Sequence, residues 1–232
     1  MLKQKIYSHR WSFSRTIPFL FGFCMSGCNS CQPPAIVDVP ASNVDVELIV
    51  IDVTETPSDG KVIAVMQFSQ NGKTVEISSN VGLTCNGTAL SWNGLTMGHA
   101  ERVPLQPVGG TYVFRYLRSG VSTSASITVP SRPVFTAPTL AGAILARTNN
   151  FTIHYIPGTG TSVRSDASDG TQSKNNSQQD DGTFDGLDVS SFNAGPGTLS
   201  INRTLENTLS GTGFQSAKSH YSIGKSINIT WQ

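Results

Sequence analysis

The residues able to do chemistry are few and widely spaced. Cysteine occurs at 24, 28, 31 and 85, and beyond residue 28 the histidines are His99, His154 and His220. Histidine beside a carboxylate can activate a serine for acyl transfer, but no Gly-x-Ser-x-Gly elbow surrounds any serine. Cys28-Asn29-Ser30-Cys31 has the spacing of half a zinc site. Neither a second such pair nor clustered histidines complete the tetrahedral set that Zn²⁺ takes. The segment 165–188 carries Asp166, Asp169, Asp180, Asp181, Asp185 and Asp188 among Gly, Ser, Asn and Gln. Ca²⁺ takes about six to eight hard oxygens, yet Asp180-Asp181-Gly182-Thr183-Phe184-Asp185-Gly186 lacks the regular spacing and closing Glu of an EF-hand loop. A solvated loop in which Asp and Gly serve turns is the expectation. No Gly-rich phosphate loop opens a helix. The residues therefore assign no catalytic group, no metal ligand and no cofactor.

The N-terminus is better patterned. Lys3, Lys5, Arg10 and Arg15 precede an apolar run from Ile17 to Met25, and no acidic residue comes before Asp38. A helix needs about 20 apolar residues to cross the hydrocarbon core, so this run reads as a processing signal and not as a permanent span. Met25-Ser26-Gly27-Cys28 follows directly. This combination resembles the type II signal peptide of bacterial lipoproteins, whose lipobox places a large apolar residue and two small ones before a cysteine. Met25 departs from the usual Leu. The resemblance implies cleavage between Gly27 and Cys28 and acylation of the Cys28 sulfur. The protein would then be held at a cell membrane or outer envelope and exposed outside the cytoplasm. Two or more acyl chains hold stably, at about 0.8 kcal/mol per buried methylene.

Such processing alters the remaining inventory. The chain has 16 Lys plus Arg against 15 Asp plus Glu, and four of the bases lie in the leader, which leaves 12 against 15, or −3. No basic stripe of the kind nucleic acid requires is visible, so no nucleic-acid partner is expected. With Cys24 in the leader and Cys28 acylated, Cys31 and Cys85 are the candidate disulfide pair, which an export compartment permits. A buried Cys85 beside an unpaired Cys31 stays open as the alternative.

Downstream, the chain divides into the leader 1–27, a lipidated tether 28–43 punctuated by Pro33, Pro34 and Pro40, and two β-modules over 44–130 and 131–232. Strict alternation at Val44–Leu48 marks a strand with one buried face. Strand signals recur over 61–68, 73–77, 88–92, 111–117 and 121–129, with Asn71-Gly72 and Ser119-Gly120 as hairpin turns. In the second module, strands are expected over 134–139, 151–156, 161–164, 187–192, 198–205, 216–223 and 226–231. Many short strands and no helical stripe indicate an all-β chain of two tandem β-sandwiches, and the segment after Gly109-Gly110 resembles the last two strands of an immunoglobulin-like module, which implies immunoglobulin-like sandwiches without the paired cysteines of antibody domains. One larger sandwich or barrel is the alternative.

Trp92, Tyr112, Tyr116, Tyr155, Tyr221 and Trp231 could stack on a sugar, although inward strand positions explain most of them. The functional expectation is a non-enzymatic binding, adhesion or structural role. Its contacts would be the membrane, through the lipid, and an envelope protein or glycan. A hydrolase or carbohydrate-binding protein with its site in the sandwich loops is the alternative.

Overall fold

Alternation of buried and exposed residues runs along nearly every long strand. In the computed structural model, residues 34–52, 60–138, 141–158 and 160–232 are described. The strands are β1 (Ala35–Val37), β2 (Asp45–Asp52), β3 (Lys61–Gln70), β4 (Lys73–Ile77), β5 (Gly82–Cys85), β6 (Thr88–Ala89), β7 (Ser91–Asn93), β8 (Gly98–Pro104), β9 (Thr111–Arg118) and β10 (Val121–Thr128). After the Pro130–Pro133 segment come β11 (Phe135–Ala137), β12 (Ala143–Leu145), β13 (Phe151–Tyr155), β14 (Ser162–Ser168), β15 (Ser173–Gln178), β16 (Thr183–Leu187), β17 (Gly195–Leu209) and β18 (Ser216–Trp231). Apart from one 3-10 turn at Ala41–Asn43, the described residues contain no helix.

The strand order is immunoglobulin-like twice over. In the first sandwich β2, β3, β8 and β7 lie side by side, and β6, β5, β9 and β10 form the facing sheet. Lettered in chain order, these are A-B-E-D against C′-C-F-G. Tyr112, near the start of the F strand β9, accepts a hydrogen bond from the Gln106 backbone amide at 3.0 Å, which is the tyrosine corner of such sandwiches. In the second sandwich β11, β13 and β16 form the A-B-E sheet. β12, β18, β17, β14 and β15 form A′-G-F-C-C′, with β12 parallel to β18. The chain is all-β and carries two tandem immunoglobulin-like sandwiches.

The two sandwiches share their longest strands. β17 and β18 pair through 15 consecutive antiparallel positions, from Gly195 with Trp231 to Leu209 with Ala217. One end of this hairpin supplies Leu199, Ile201, Ile227, Ile229 and Trp231 to the second core. The other end reaches into the first sandwich, where β18 runs parallel to β2 through eight positions, Ser216 with Asp45 to Ile223 with Asp52. Ala217, Tyr221 and Ile223 are buried there, and Phe214 in the turn packs its ring on Phe68 and Tyr116 at 6.5 and 5.9 Å. The odd-numbered face of β18 is thus buried in one core and then in the other. The strands expected at 216–223 and 226–231 are one strand, because Ser-Ile-Gly-Lys at 222–225 keeps extended geometry across the junction.

Other expectations differ for local reasons. Residues 34–43 of the expected tether dock on the first sandwich. β1 pairs parallel with β4, Val37 and Val39 pack against the core, and the Tyr116 hydroxyl donates to the Val39 carbonyl. Apolar residues in the segment outweigh its Pro punctuation. The expected loop at 165–188 is largely β14, β15 and β16, whose polar outward faces hide the strand signal. The strand expected at 187–192 is instead a loop beyond Leu187, held inward by buried Val189 and Phe192. The strand β8, absent from the sequence reading, begins Gly-His-Ala-Glu-Arg and does not alternate.

Because the β17–β18 hairpin completes both cores, urea unfolding followed through Trp92 and through Trp231, each as the sole tryptophan, is expected to give coincident transitions. Midpoints that separate would show two independent units.

Candidate functional site

The residues singled out for chemistry do not converge. Gly27, Cys28 and Cys31 lie outside the described residues. Cys85 ends β5 at 0% exposure in the first core, where burial pushes its thiol up to about 12, so it is not a nucleophile at neutral pH. His99 is in the strand β8 and not in a loop. It is buried beside Phe68 and Trp92, and its Nε2 accepts the Ile77 amide at 3.1 Å, linking β8 to β4. Burial lowers its pKa to about 4. His154 is exposed on β13, and His220 on β18 lies 3.4 Å from Glu206. These three histidines occupy different strands with different neighbours.

The aspartates hold turns and strands together. Asp169 accepts the Thr171 and Gln172 amides with one oxygen and the Asn193 amide with the other, which holds its carboxyl well below the usual range. Asp188 accepts the Ser190 amide and hydroxyl, and these bonds lower its pKa as well. Asp181 accepts the Thr183 amide, Asp185 the Thr152 hydroxyl, and Asp166 both Arg164 and Asn202. Among the described residues no group of three metal-ligating side chains converges. Five of the six aromatic rings considered for sugar stacking, those of Tyr112, Tyr116, Tyr155, Tyr221 and Trp231, are buried in the cores.

Charge is instead buried where the sandwiches meet. Arg203, on β17 at 1% exposure, donates from Nε to Asp180 Oδ2 at 2.6 Å. Its other nitrogens reach the Ser131 and Ile156 carbonyls at 3.1 and 2.7 Å. A Cβ at Gly158 or Gly160 would stand 2.5 to 2.6 Å from this side chain, so only glycine admits the guanidinium. Beside it, Arg132 grips buried Asp52 with two bonds of 2.7 and 2.8 Å and donates to the Gly224 carbonyl at 2.9 Å. Each cation satisfies carbonyls as well as a carboxylate, the condition under which buried charge is tolerated. The segment 130–133 is thereby bonded into both sandwiches. Of this cluster, Asp180 and the neighbouring Gly160 border an open hollow, while the guanidiniums of Arg203 and Arg132 are taken up by carboxylates and carbonyls.

The open feature lies along one side of the first sandwich, between the edge strand β10 and the hairpin end of β17. A groove of about 320 Å³ is lined by Ile127, Val129, Pro130, Leu205, Leu209 and Tyr221 together with Ser, Thr and Asn side chains, and none of its lining residues is charged. It was missed in the sequence because its walls are separated by more than 70 positions. A second, wider hollow of about 560 Å³ beside Gly160 and Gln178 is polar and shallow.

No family model matches the chain, and no curated protein matches it. Among solved structures it is similar to an I-band fragment of titin, at 12% identity and TM-score 0.23, over 82% of this chain and 64% of that fragment. The chain thus spans just under two thirds of the titin fragment's length. It is also similar to fibronectin(III)-like modules of Clostridium thermocellum CbhA, at 13% identity and TM-score 0.27, over 82% of this chain and 94% of that one. A third likeness is to three N-terminal domains of the bacteriophage RB49 outer capsid protein Hoc, at 9% identity and TM-score 0.29, over 81% and 70%. At these TM-scores the immunoglobulin-like topology rests on this chain's own strand order and tyrosine corner.

Asp180→Ala would leave the Arg203 guanidinium buried without its carboxylate and is expected to lower stability by about 3–5 kcal/mol in urea titration. Replacing both partners with apolar residues, Asp180→Leu with Arg203→Met, is expected to cost far less. His99 sets a pH dependence. The unfolded ring takes up a proton near pH 6.5 and the folded ring only near about 4, so its contribution is complete above 6.5 and is lost as pH falls toward 4. The loss should reach about 2–3 kcal/mol, and His99→Gln should flatten that part of the stability curve.

Proposed function

We propose that this chain is a lipid-anchored envelope protein with a non-enzymatic binding, adhesion or structural role, held through acylated Cys28 and exposed outside the cytoplasm. The observation that carries the reading is the unbroken β17–β18 ladder, which joins two immunoglobulin-like sandwiches into one body. A frame of this kind holds its loops and strand edges at set positions and has no hinge at the Pro130–Pro133 segment on which to close around a substrate. The structural duties of Cys85, His99 and the aspartates support it further, since each is tied to the fold and not poised for chemistry. The leader supports the anchor: basic residues, an apolar run and Gly27-Cys28 stand in the order that acylation requires. Residues 34–43 of the expected tether lie against the first sandwich, so residues 29–33 are what stands in sequence between Cys28 and the fold.

The test is labelled palmitate fed to a bacterial host with a lipoprotein pathway. Label is expected in the unaltered chain and in the membrane fraction, and both are expected to be lost in Cys28→Ser. Absence of label from the unaltered chain sinks the anchor.

A further inference from the structure

The groove beside β10 is bordered by backbone that no described residue pairs. Among the described residues β10 pairs only with β9, through eight consecutive positions without a register shift. The Val113 amide and carbonyl bond to Asn86 on the β5 side of β9, so Tyr112, Phe114 and Tyr116 are the β9 residues that bond toward β10. Their partners are Ile127, Ala125 and Thr123. The N–H and C=O groups of Ser122, Ser124, Ser126 and Thr128 therefore point away from the sheet.

The opposite wall has the same character. β17 pairs with β14 only as far as Thr204, whose carbonyl accepts the Thr161 amide. The alternation then turns the backbone groups of Glu206 and Thr208 outward, beyond the reach of β14.

Edge strands in soluble proteins are ordinarily guarded by charge, proline or a bulge. β10 reads Val-Ser-Thr-Ser-Ala-Ser-Ile-Thr and has none of these. A second copy of the chain is a poor fit to this edge, because the β17–β18 turn stands beside it: a Cβ at Gly213 would lie 3.3 Å from Thr123. A single extended chain needs far less room than a second sandwich. It would span about 3.3 Å per residue, so about six residues cover Ser122 to Thr128. Its alternate side chains would meet Ile127, Leu205, Leu209 and Tyr221, where a charge would be desolvated without a partner.

We propose that β10 is a strand-addition site for an extended, uncharged peptide segment of a partner protein, with β-branched or small side chains toward the groove. Backbone bonds to Ser122, Ser124, Ser126 and Thr128 give the affinity, and the apolar floor selects alternate side chains. This deepens the binding role proposed above. It does not depend on acylation, so loss of either claim leaves the other standing.

The probe is the capped hexapeptide Thr-Val-Thr-Val-Thr-Val added to the full chain, read by amide hydrogen exchange. Exchange at Ser122, Ser124, Ser126 and Thr128 is expected to slow by at least about tenfold, and the same peptide with Lys at the Val positions is expected to have no effect. Ser126→Pro removes an outward N–H that the β9 ladder does not use, and Ser126→Lys adds a guard charge on an exposed position. Both are expected to abolish the protection, while Ser126→Ala keeps it. Unchanged exchange at the four amides overturns the proposal, as does protection that survives in Ser126→Pro and Ser126→Lys. So does a dimer formed through β10 that the peptide fails to displace.

Discussion

Parallel pairing of β18 with β2 is the constraint from which the rest of the structure follows. It takes the end of a hairpin that begins in the second sandwich and makes it the outer pair of strands in a sheet of the first. An immunoglobulin-like sandwich ordinarily ends its A-strand sheet at the A strand or turns it toward G. Here the A strand β2 is covered, and β10, the G strand, pairs among the described residues only with β9. The closed side and the open side of the first sandwich are two results of one pairing.

The same pairing explains where charge is buried. A ladder that crosses from one core to the next must pass a level at which neither core supplies apolar neighbours. At that level β17 carries Arg203 and β18 carries Gly224. Arg203 extends to Asp180, while the Gly224 carbonyl receives Arg132, which also holds Asp52 at the end of β2. Charge at this level is tolerated because each guanidinium finds both a carboxylate and backbone carbonyls, and because Gly158 and Gly160 leave room for one of them. The junction is consequently bonded into both sandwiches, through Arg132 on Asp52 and Arg203 on Asp180.

Much of the fold was legible. The alternation in β2, β9 and β10, the Asn71-Gly72 turn and the boundary strands of the second module are local signals, and local signals survive in a sequence. The strands lost were those with polar faces on both sides, such as β15, or with charged pairs at the edge, such as β8. The site was less legible. Cysteine, histidine and clustered aspartate attract attention by type, yet His99 and Asp169 serve as hydrogen-bond partners within the fold, and the groove is built from Ser, Thr, Leu and Ile that no motif would select.

By itself, the sequence determined the all-β class and the period-2 core positions, and it holds the residues around Cys28 on which the proposed anchor rests, because each depends on residues close together in the chain. Tertiary structure alone decided that residues 205–223 complete the first sandwich, that Arg203 and Asp180 meet, and that among the described residues β10 pairs only with β9. Those outcomes depend on which strand pairs with which, across 171 residues for Asp45 and Ser216 and across 23 for Asp180 and Arg203. Strands of equal alternation are interchangeable in sequence until packing chooses between them.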